Sequence, residues 1–364
     1  MIRKILLIAL AVFVGGQCIN AQKKPKTPDV PDGIFFKIEG KGLKQPSYAL
    51  GTMHYVHGDY MHHIEGFDSI LATIRCLATE LKMDYILHPE TVEVSPDFQL
   101  TRMDSIKLNS MLPDIIAEFQ VIDAGTPDVY ERTFNAQQLD SLDRAMEYLQ
   151  VDDLIRGLTQ MQGQEVPAGK IYRHSSPLQL TRLLQALSVT QAAKYFVEHG
   201  YSQDYQQLDH KVMLTVNEMN EKQNANILCV GLDSTYAYRQ MQENSTTIKD
   251  LVADLTSEHM ARLIYRAAIN YHRVGQTFEH CMPLYDQGHG QEVVDAMSAI
   301  EQKTYSDPQL VDGRNRYWME QLPALMKAQP TLICVGLAHL VPTAGSEGVL
   351  SMLKKKGYKI TKLK

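Results

Sequence analysis

The chain is poor in several features that would settle its class on their own. Five cysteines and a single tryptophan are spread over 364 residues, too sparse for a small fold held by disulfides. Basic side chains show no excess: 36 Lys and Arg face 42 Asp and Glu, for a net charge of −6. General nucleic-acid binders need a basic face to meet phosphates, so this balance argues against that class. Past the N-terminus there is no run of 18 apolar residues, and no integral membrane domain is expected there. His-Glu-x-x-His, Gly-x-Ser-x-Gly and Gly-x-x-x-x-Gly-Lys are all missing. Their absence argues against a zincin, an α/β-type serine hydrolase and an NTPase. What is present is globular in character. Charged residues make up 21% and hydrophobic ones 44%, in a length that suits one large domain or two ordinary ones.

Met1 to Ala21 reads as a secretory signal. Arg3 and Lys4 precede an apolar run of ten, Ile5 to Val14, then Gly15-Gly16, with Ala21 as the small residue before Gln22. The run is too short for a stable span, which needs about 20 residues. The reading implies an exported chain, periplasmic or secreted. An uncleaved anchor and a lipoprotein on Cys18 are the alternatives, the second disfavoured by the bulky Gln17. Gln22 to Gly33, with its Pro and Lys residues, reads as a flexible tether. Residues 34–364 are expected to form a single domain. Of its thiols Cys76, Cys229, Cys281 and Cys334, three sit in apolar runs, and most are expected to be free and buried, with Cys281 least fixed by its surroundings.

Within this domain Ile34–Ile38 and Tyr48–Thr52 read as a hairpin with a long loop. Ile64–Arg75 has a helical stripe of Ile64, Phe67, Leu71 and Ile74, followed by a strand, Cys76–Leu81. Residues 95–224 are mostly helical in pattern, a large insertion whose clearest helix is Pro177–His199, opened by Ser176 and closed by Gly200. Asn226-Ile-Leu-Cys-Val-Gly-Leu-Asp233 and Pro330-Thr-Leu-Ile-Cys-Val-Gly-Leu-Ala338 are continuous apolar runs, the mark of strands buried on both faces. Helices are expected between them over Thr247–Ala299 and Asp312–Ala328. A last helix to about Lys356 and a strand from Tyr358 to Leu363 end the chain. The sum is an α/β fold: a central, mostly parallel sheet built from both chain ends, flanked by helices, with a large helical insertion.

Two Gly-x-x-His motifs carry the chemistry. Gly51-Thr52-Met53-His54 and Gly336-Leu337-Ala338-His339 each follow an expected strand directly. Ligands in such sheets bind beyond the carboxyl ends of the strands, and glycine there allows close approach. Glu80 stands near the end of the apolar run Leu77–Leu81, where a lone buried carboxylate is costly unless paired or bound to metal. Two imidazoles, a carboxylate and a water make an open divalent-metal site. Glu80 is either a ligand or the base that takes a proton from that water; a salt bridge to Arg314 is the structural alternative. Arg314-Asn315 opens a stripe of Arg314, Trp318, Leu322 and Leu325. It is expected at a helix start, facing inward, where it suits a developing oxyanion or a substrate carboxylate. Pro323 is expected to kink that helix.

These motifs resemble the TraB/GumN family, related to the Tiki metalloproteases. The resemblance runs from about Ile34 to the C-terminus. It rests on Leu50-Gly-Thr-Met-His54, on Glu80, on Leu208-Asp209 leading to Gly231-Leu232-Asp233-Ser234, on Arg314-Asn315, and on Gly336-Leu-Ala-His-Leu340 with Gly348-Val-Leu and Gly357-Tyr358. For the Tiki branch it implies a metal-dependent peptidase. Residue by residue, the metal falls to His54, Glu80 and His339, catalysis to Glu80, Arg314 and Asn315, and a supporting place to Asp233. Two departures stand out: Asp233 replaces a usual Glu, and Leu340-Val341-Pro342 replaces Leu-Pro-Gly.

The expectation is therefore an exported hydrolase with a divalent metal ion and a peptide or protein substrate. The alternative is a non-catalytic periplasmic binding protein that uses the same cleft for a peptide or small molecule. His57 and Asp59 read as a solvated loop and His62-His63 as surface. His280, Cys281, Asp286 and His289 match no compact zinc spacing and read as a polar loop.

Overall fold

The computed structural model describes residues 30–53, 55–83, 129–161, 169–174, 180, 184, 194–233, 258–301, 308–343 and 345–363. The leader Met1–Ala21 with Cys18, most of the tether and His54 lie outside the described residues.

Six strands form one sheet: β1 (Phe35–Gly40), β2 (Ser47–Thr52), β3 (Cys76–Thr79), β4 (Leu228–Gly231), β5 (Thr331–Gly336) and β6 (Tyr358–Lys362), in the order β4-β3-β5-β2-β1-β6. β2 with β5, β5 with β3, and β3 with β4 pair in parallel; β1 is antiparallel to β2 and β6. The fold is thus α/β with a mixed, mostly parallel sheet assembled from both chain ends. The described helices are α1 (Phe67–Leu71), α2 (Val129–Thr133), α3 (Ala136–Tyr148), α4 (Val151–Met161), α5 (Leu208–Gln223), α6 (Glu258–Asp286), α7 (Gly290–Glu301), α8 (Pro308–Ala328), α9 (Leu337–Leu340) and α10 (Val349–Lys355). No helix among the described residues is long and apolar enough to cross a membrane.

The residue contacts divide the chain into two compact units. The first comprises Met1–Glu93, Ala193–Met241 and Thr277–Lys364 and contains the whole sheet. Its core includes Phe35, Phe36, Leu50, Leu77, Trp318, Leu332, Ile333 and Leu353, all buried. Val30 packs against this core, and Asp32 accepts the Gln291 N–H, so the unit begins before β1. The second unit comprises Val94–Ala192 and Gln242–Gln276. Among its described residues α3 opens with a capping box of Asn135 and Gln138. Leu142, Ala145, Met146, Ile171 and Tyr172 are buried in it, and Arg173 grips Asp143 with two hydrogen bonds at 3.0 and 2.9 Å.

Three local readings change. The stripe over Ile64–Arg75 does not form one helix. Gly58–His63 is a 3-10 turn, Gly66 takes a left-handed φ of 73°, and only Phe67–Leu71 is α-helical. That glycine starts a new segment while Ile64, Phe67, Leu71 and Ile74 all still reach the core. Secondly, β4 is not buried on both faces. It lies at the sheet edge, with Leu228 49% exposed, whereas β5 in the sheet's middle is buried along its first five residues. The thiols follow from this: Cys76, Cys281 and Cys334 are free and buried, and Cys229 on the edge strand is the half-buried one. Thirdly, α8 begins at Pro308, not Asp312, and runs on through Pro323 to Ala328. Proline suits the first turn of a helix, where its missing N–H has no partner to lose. Of the expected Pro177–His199 helix, Leu180, Leu184 and residues 194–198 are helical, and His199 is already in a turn.

Candidate functional site

The register of the parallel strands brings their ends together. Thr52 lies opposite Gly336, and Thr79 opposite both Cys334 and Gly231. Each strand therefore releases its next residues at one edge of the sheet: Met53 after β2, Glu80 after β3, Leu232-Asp233 after β4 and Leu337–Leu340 after β5. Backbone bonds tie two of these exits, from Leu232 N to Thr79 O at 2.8 Å and from Asp233 N to Glu80 O at 3.0 Å. Crowding favours glycine here. A Cβ on Gly51 would stand 2.4 Å from Leu337 Cδ1, and one on Gly336 would stand 3.1 Å from Glu80 Oε1. The absent side chains let α9 and the Glu80 carboxylate close onto the strand ends.

Glu80 is held from two sides. Gly336 N–H donates to its Oε1 at 2.7 Å, and the Arg314 guanidinium donates to Oε2. Arg314 does more than pair with one acid. Its Nε donates to Asp233 Oδ1 at 3.0 Å, Nη2 also donates to Asp233 Oδ2, and Nη1 donates to His339 Nε2 at 3.0 Å. The guanidinium lies 5.1 Å from the centre of the Trp318 ring, and Trp318 Nε1–H donates to Asp233 Oδ1 at 2.8 Å. The Trp318 and His339 rings are 4.5 Å apart.

These bonds fix the state of His339. A guanidinium only donates, so His339 Nε2 accepts. Asn315 spends its amide N–H groups on His339 O at 3.2 Å and Ser346 Oγ at 3.0 Å. Its carbonyl Oδ1 is left to accept from His339 Nδ1–H at 2.7 Å. The imidazole is thus neutral, 5% exposed, with Nδ1 tied to an amide and Nε2 turned to the charged cluster. Electrostatics agree with this packing. Burial lifts the Asp233 carboxyl above its ordinary pKa, with Arg314 pulling against that and Glu80 adding to it. Burial works against the charge on Arg314, yet Glu80 and Asp233 hold its pKa above the usual value.

Of the residues singled out in sequence, Glu80, Asp233, Arg314, Asn315 and His339 form this one cluster. Asp233 is a direct bidentate partner of Arg314. The Glu80–Arg314 salt bridge is present. Arg314 sits in the second turn of α8, since the helix opens at Pro308; it is not at a helix N-terminus. Trp318 joins the cluster without having been assigned chemistry. Its signal was its spacing, one helical turn from Arg314 on the same stripe.

Other assignments change. His57 is not in a solvated loop: it is 1% exposed. Its Nδ1 accepts the Asp59 N–H at 3.0 Å, capping the 3-10 turn, and its ring lies 5.3–5.7 Å from those of Phe196, Tyr201 and Tyr205. Burial pushes its pKa below the ordinary value, opposed by Asp59, Asp204 and the Ser202 carbonyl, while Lys211 adds to the lowering. His62 and His63 are exposed, as expected. His280, Cys281 and Asp286 are on α6 instead of a loop. His289 turns instead to Asp32 and Glu292, and among the described residues only that surface trio brings three possible ligand atoms within 4.8 Å.

A divalent ion is the group the sequence implies; His339 and Glu80 offer donor atoms for one, both engaged by Arg314, and they do not form a three-ligand group among the described residues. His339 offers an Nε2 lone pair from a ring already fixed at Nδ1, the usual support of a metal-bound histidine. Glu80 adds a carboxylate, and both acceptors already surround a cation, the guanidinium. Thr52, beside Gly336, has a buried hydroxyl with no hydrogen-bond partner, an unmet polar group at the same strand ends. His339 and Glu80, with His54 from the sequence motif, would be the residues to hold the ion.

Comparison with known proteins adds one finding. No curated protein and no solved structure matches the chain. The family model described as TraB/PrgY/gumN matches residues 145–362, a span that includes Asp233, Arg314, Asn315, Trp318 and His339 and begins after Glu80. With more than half of its length matched, the chain belongs to the TraB/PrgY/gumN family.

Proposed function

We propose that the chain is an exported, metal-dependent hydrolase of the peptidase type, working at the carboxyl edge of its sheet. The observation that carries this reading is the held tautomer of His339: Asn315 fixes Nδ1–H, and Nε2 faces Arg314 beside Glu80. In that arrangement the His339 lone pair is directed at the place of a cation that lies between two carboxylates. A divalent ion bound by His339, Glu80 and His54 would polarise a carbonyl and lower the pKa of a water. The chain's own residues supply the rest. Glu80, when not bound to the ion, accepts a proton from water. Arg314 presents N–H donors where a carbonyl oxygen gains negative charge. Asn315 keeps the imidazole from turning, and Trp318 walls one side of the cluster. The N-terminal apolar segment with its basic start supports export.

The test is hydrolysis of a peptide library by the full chain after chelation and after return of Zn²⁺, Mn²⁺ or Co²⁺. Cleavage that needs the ion and is lost in His339→Ala, with the fold intact by circular dichroism, is the expected result. Cleavage indifferent to chelation, or unchanged in His339→Ala, would remove the proposal.

One observation favours a second reading, a binding protein without catalysis. Arg314 already neutralises part of the charge of Glu80 and Asp233, so the cluster is satisfied without an ion. Calorimetry separates the two. Tight uptake of a divalent ion supports the hydrolase, and uptake of a peptide by ion-free protein with no turnover supports the binder.

A further inference from the structure

We propose that a lysine-rich corner at the other end of the sheet from the Glu80–Arg314 cluster docks the chain on an anionic lipid surface. β1 is antiparallel to both β2 and β6, so the end of β1 and the starts of β2 and β6 share one end of the sheet. Glu80 and His339 follow the ends of strands parallel to β2, at the opposite end. Some lysines of β1, α10 and β6 are spent on the fold. Lys37 pairs with Glu39 at 2.7 Å, Lys355 pairs with Glu347, and Lys362 Nζ donates to Gly288 O at 2.9 Å. Lys41, Lys44, Lys356 and Lys359 are exposed, and among the described residues none of them has a carboxylate within ion-pair distance. Lys359 stands opposite Glu39, whose carboxylate is taken by Lys37. Lys41 lies against the turn that carries Lys356: a Cβ on Gly357 would stand 3.8 Å from Lys41 Nζ.

Edge strands often carry lysine to keep other strands from pairing with them, which accounts for Lys359 on β6. It does not account for Lys41 and Lys44 in the β1–β2 loop or for Lys356 in the turn after α10, which have no strand edge to guard. The chemistry of the four cations selects the partner. A site that reads individual phosphates uses the planar fork of arginine, and a site for single-stranded nucleic acid adds aromatic rings for stacking. Compact ammonium charges suit a diffuse negative surface such as lipid headgroups. The sequence leading into β1 brings the same charge, in Lys23, Lys24 and Lys26. The chain as a whole carries −6, so the rest of it is repelled by the surface that attracts this corner, and the approach is oriented. Docked this way, the chain turns the carboxyl edge of its sheet, with Glu80 and His339, away from the lipid.

The experiment is vesicle co-sedimentation of the full chain. One set of vesicles is phosphatidylcholine alone, and the other is equal parts phosphatidylcholine and phosphatidylglycerol. The N-terminal apolar run can enter both kinds, so the difference between them is what is read. Tighter binding to the anionic vesicles is expected at about 0.1 M salt and should vanish at about 1 M, where exposed charges are screened within a few ångströms. The combined variant Lys41→Gln, Lys44→Gln, Lys356→Gln and Lys359→Gln is expected to lose at least about tenfold of the anionic binding, its circular dichroism unchanged. Lys194→Gln with Lys222→Gln, exposed lysines outside the corner, should keep most of it. Equal binding to both kinds of vesicle overturns the proposal. So does an anionic preference that survives the combined variant, or one that the Lys194 and Lys222 changes reduce as much. Stronger binding to DNA than to the anionic vesicles overturns the choice of lipid. If the combined variant does not fold, Lys41→Gln with Lys44→Gln and Lys356→Gln with Lys359→Gln are tested as pairs. Each pair should lose part of the preference, and no loss in either overturns the proposal.

Discussion

Asn315 shows how much one amide controls. Its Nδ2 holds the α9 backbone and Ser346, and its Oδ1 holds the His339 ring. Asn315→Ala leaves a buried N–H on His339 and a buried hydroxyl on Ser346 with lost partners. The expected cost is about 1–3 kcal/mol in urea unfolding; under the proposal that His339 holds an ion, ion affinity should also fall by about 10–100-fold, as when a metal-bound histidine loses its support. Asp233→Ala acts differently, because it leaves a buried guanidinium short of its bidentate partner. Losing one member of such a pair costs about 3–5 kcal/mol, measurable in the same titration, whereas Asp233→Asn keeps an acceptor and costs less. Glu80 was legible in the sequence because a charge at the end of an apolar strand demands a partner. Arg314 was legible by its place on an inward stripe, and Asn315 as its neighbour and through the family resemblance. Trp318 was not, because an apolar ring at helical spacing reads as core, and its indole N–H finds a use only when Asp233 is brought from another strand.

At the scale of elements, the segment after β2 is strapped down by contacts no local pattern announces. Gly58 N–H donates to Gln206 O at 2.7 Å, Leu208 N–H to Val56 O at 2.8 Å, and Tyr205 OH to Tyr55 O at 2.9 Å. His57 sits inside this strap with its pKa pushed down by burial. The sign of its effect is fixed. As pH falls below the ordinary histidine value of 6.5, the unfolded chain takes up a proton that the native chain refuses. Stability is therefore lost through that window until the buried ring is protonated too. Urea unfolding between pH 7 and 5 should show this slope, and His57→Gln should flatten it. A slope unchanged by His57→Gln would assign the acid sensitivity elsewhere. The sequence placed His57 in a solvated loop because the rings that enclose it, Phe196, Tyr201 and Tyr205, come from a distant segment. The same limit applies to β4: its apolar run is indistinguishable from a central strand until the strand order puts it at an edge.

The whole molecule is where the sequence was most readable. Apolar runs ending in glycine are buried-strand signals, and their order along the chain foretold a parallel sheet closed by both termini. The reading of buried, free thiols follows from that architecture and makes a direct prediction. Cys229, on the edge strand, should react with a thiol reagent in the folded chain, while Cys76, Cys281 and Cys334 should wait for unfolding. Burial pushes the Cys281 thiol up from 9.0 to about 11. Because the unfolded chain loses that proton first, stability should decline as pH rises through this interval, and Cys281→Ser should lessen the decline. The central claim concerns the strand ends, where motifs from both ends of the chain meet. X-ray absorption on the zinc-loaded full chain tests it most directly. The account predicts a first shell of nitrogen and oxygen near about 2.0–2.2 Å with imidazole scattering that is reduced in His339→Ala. An all-oxygen shell, or an imidazole signal that His339→Ala leaves untouched, would contradict it.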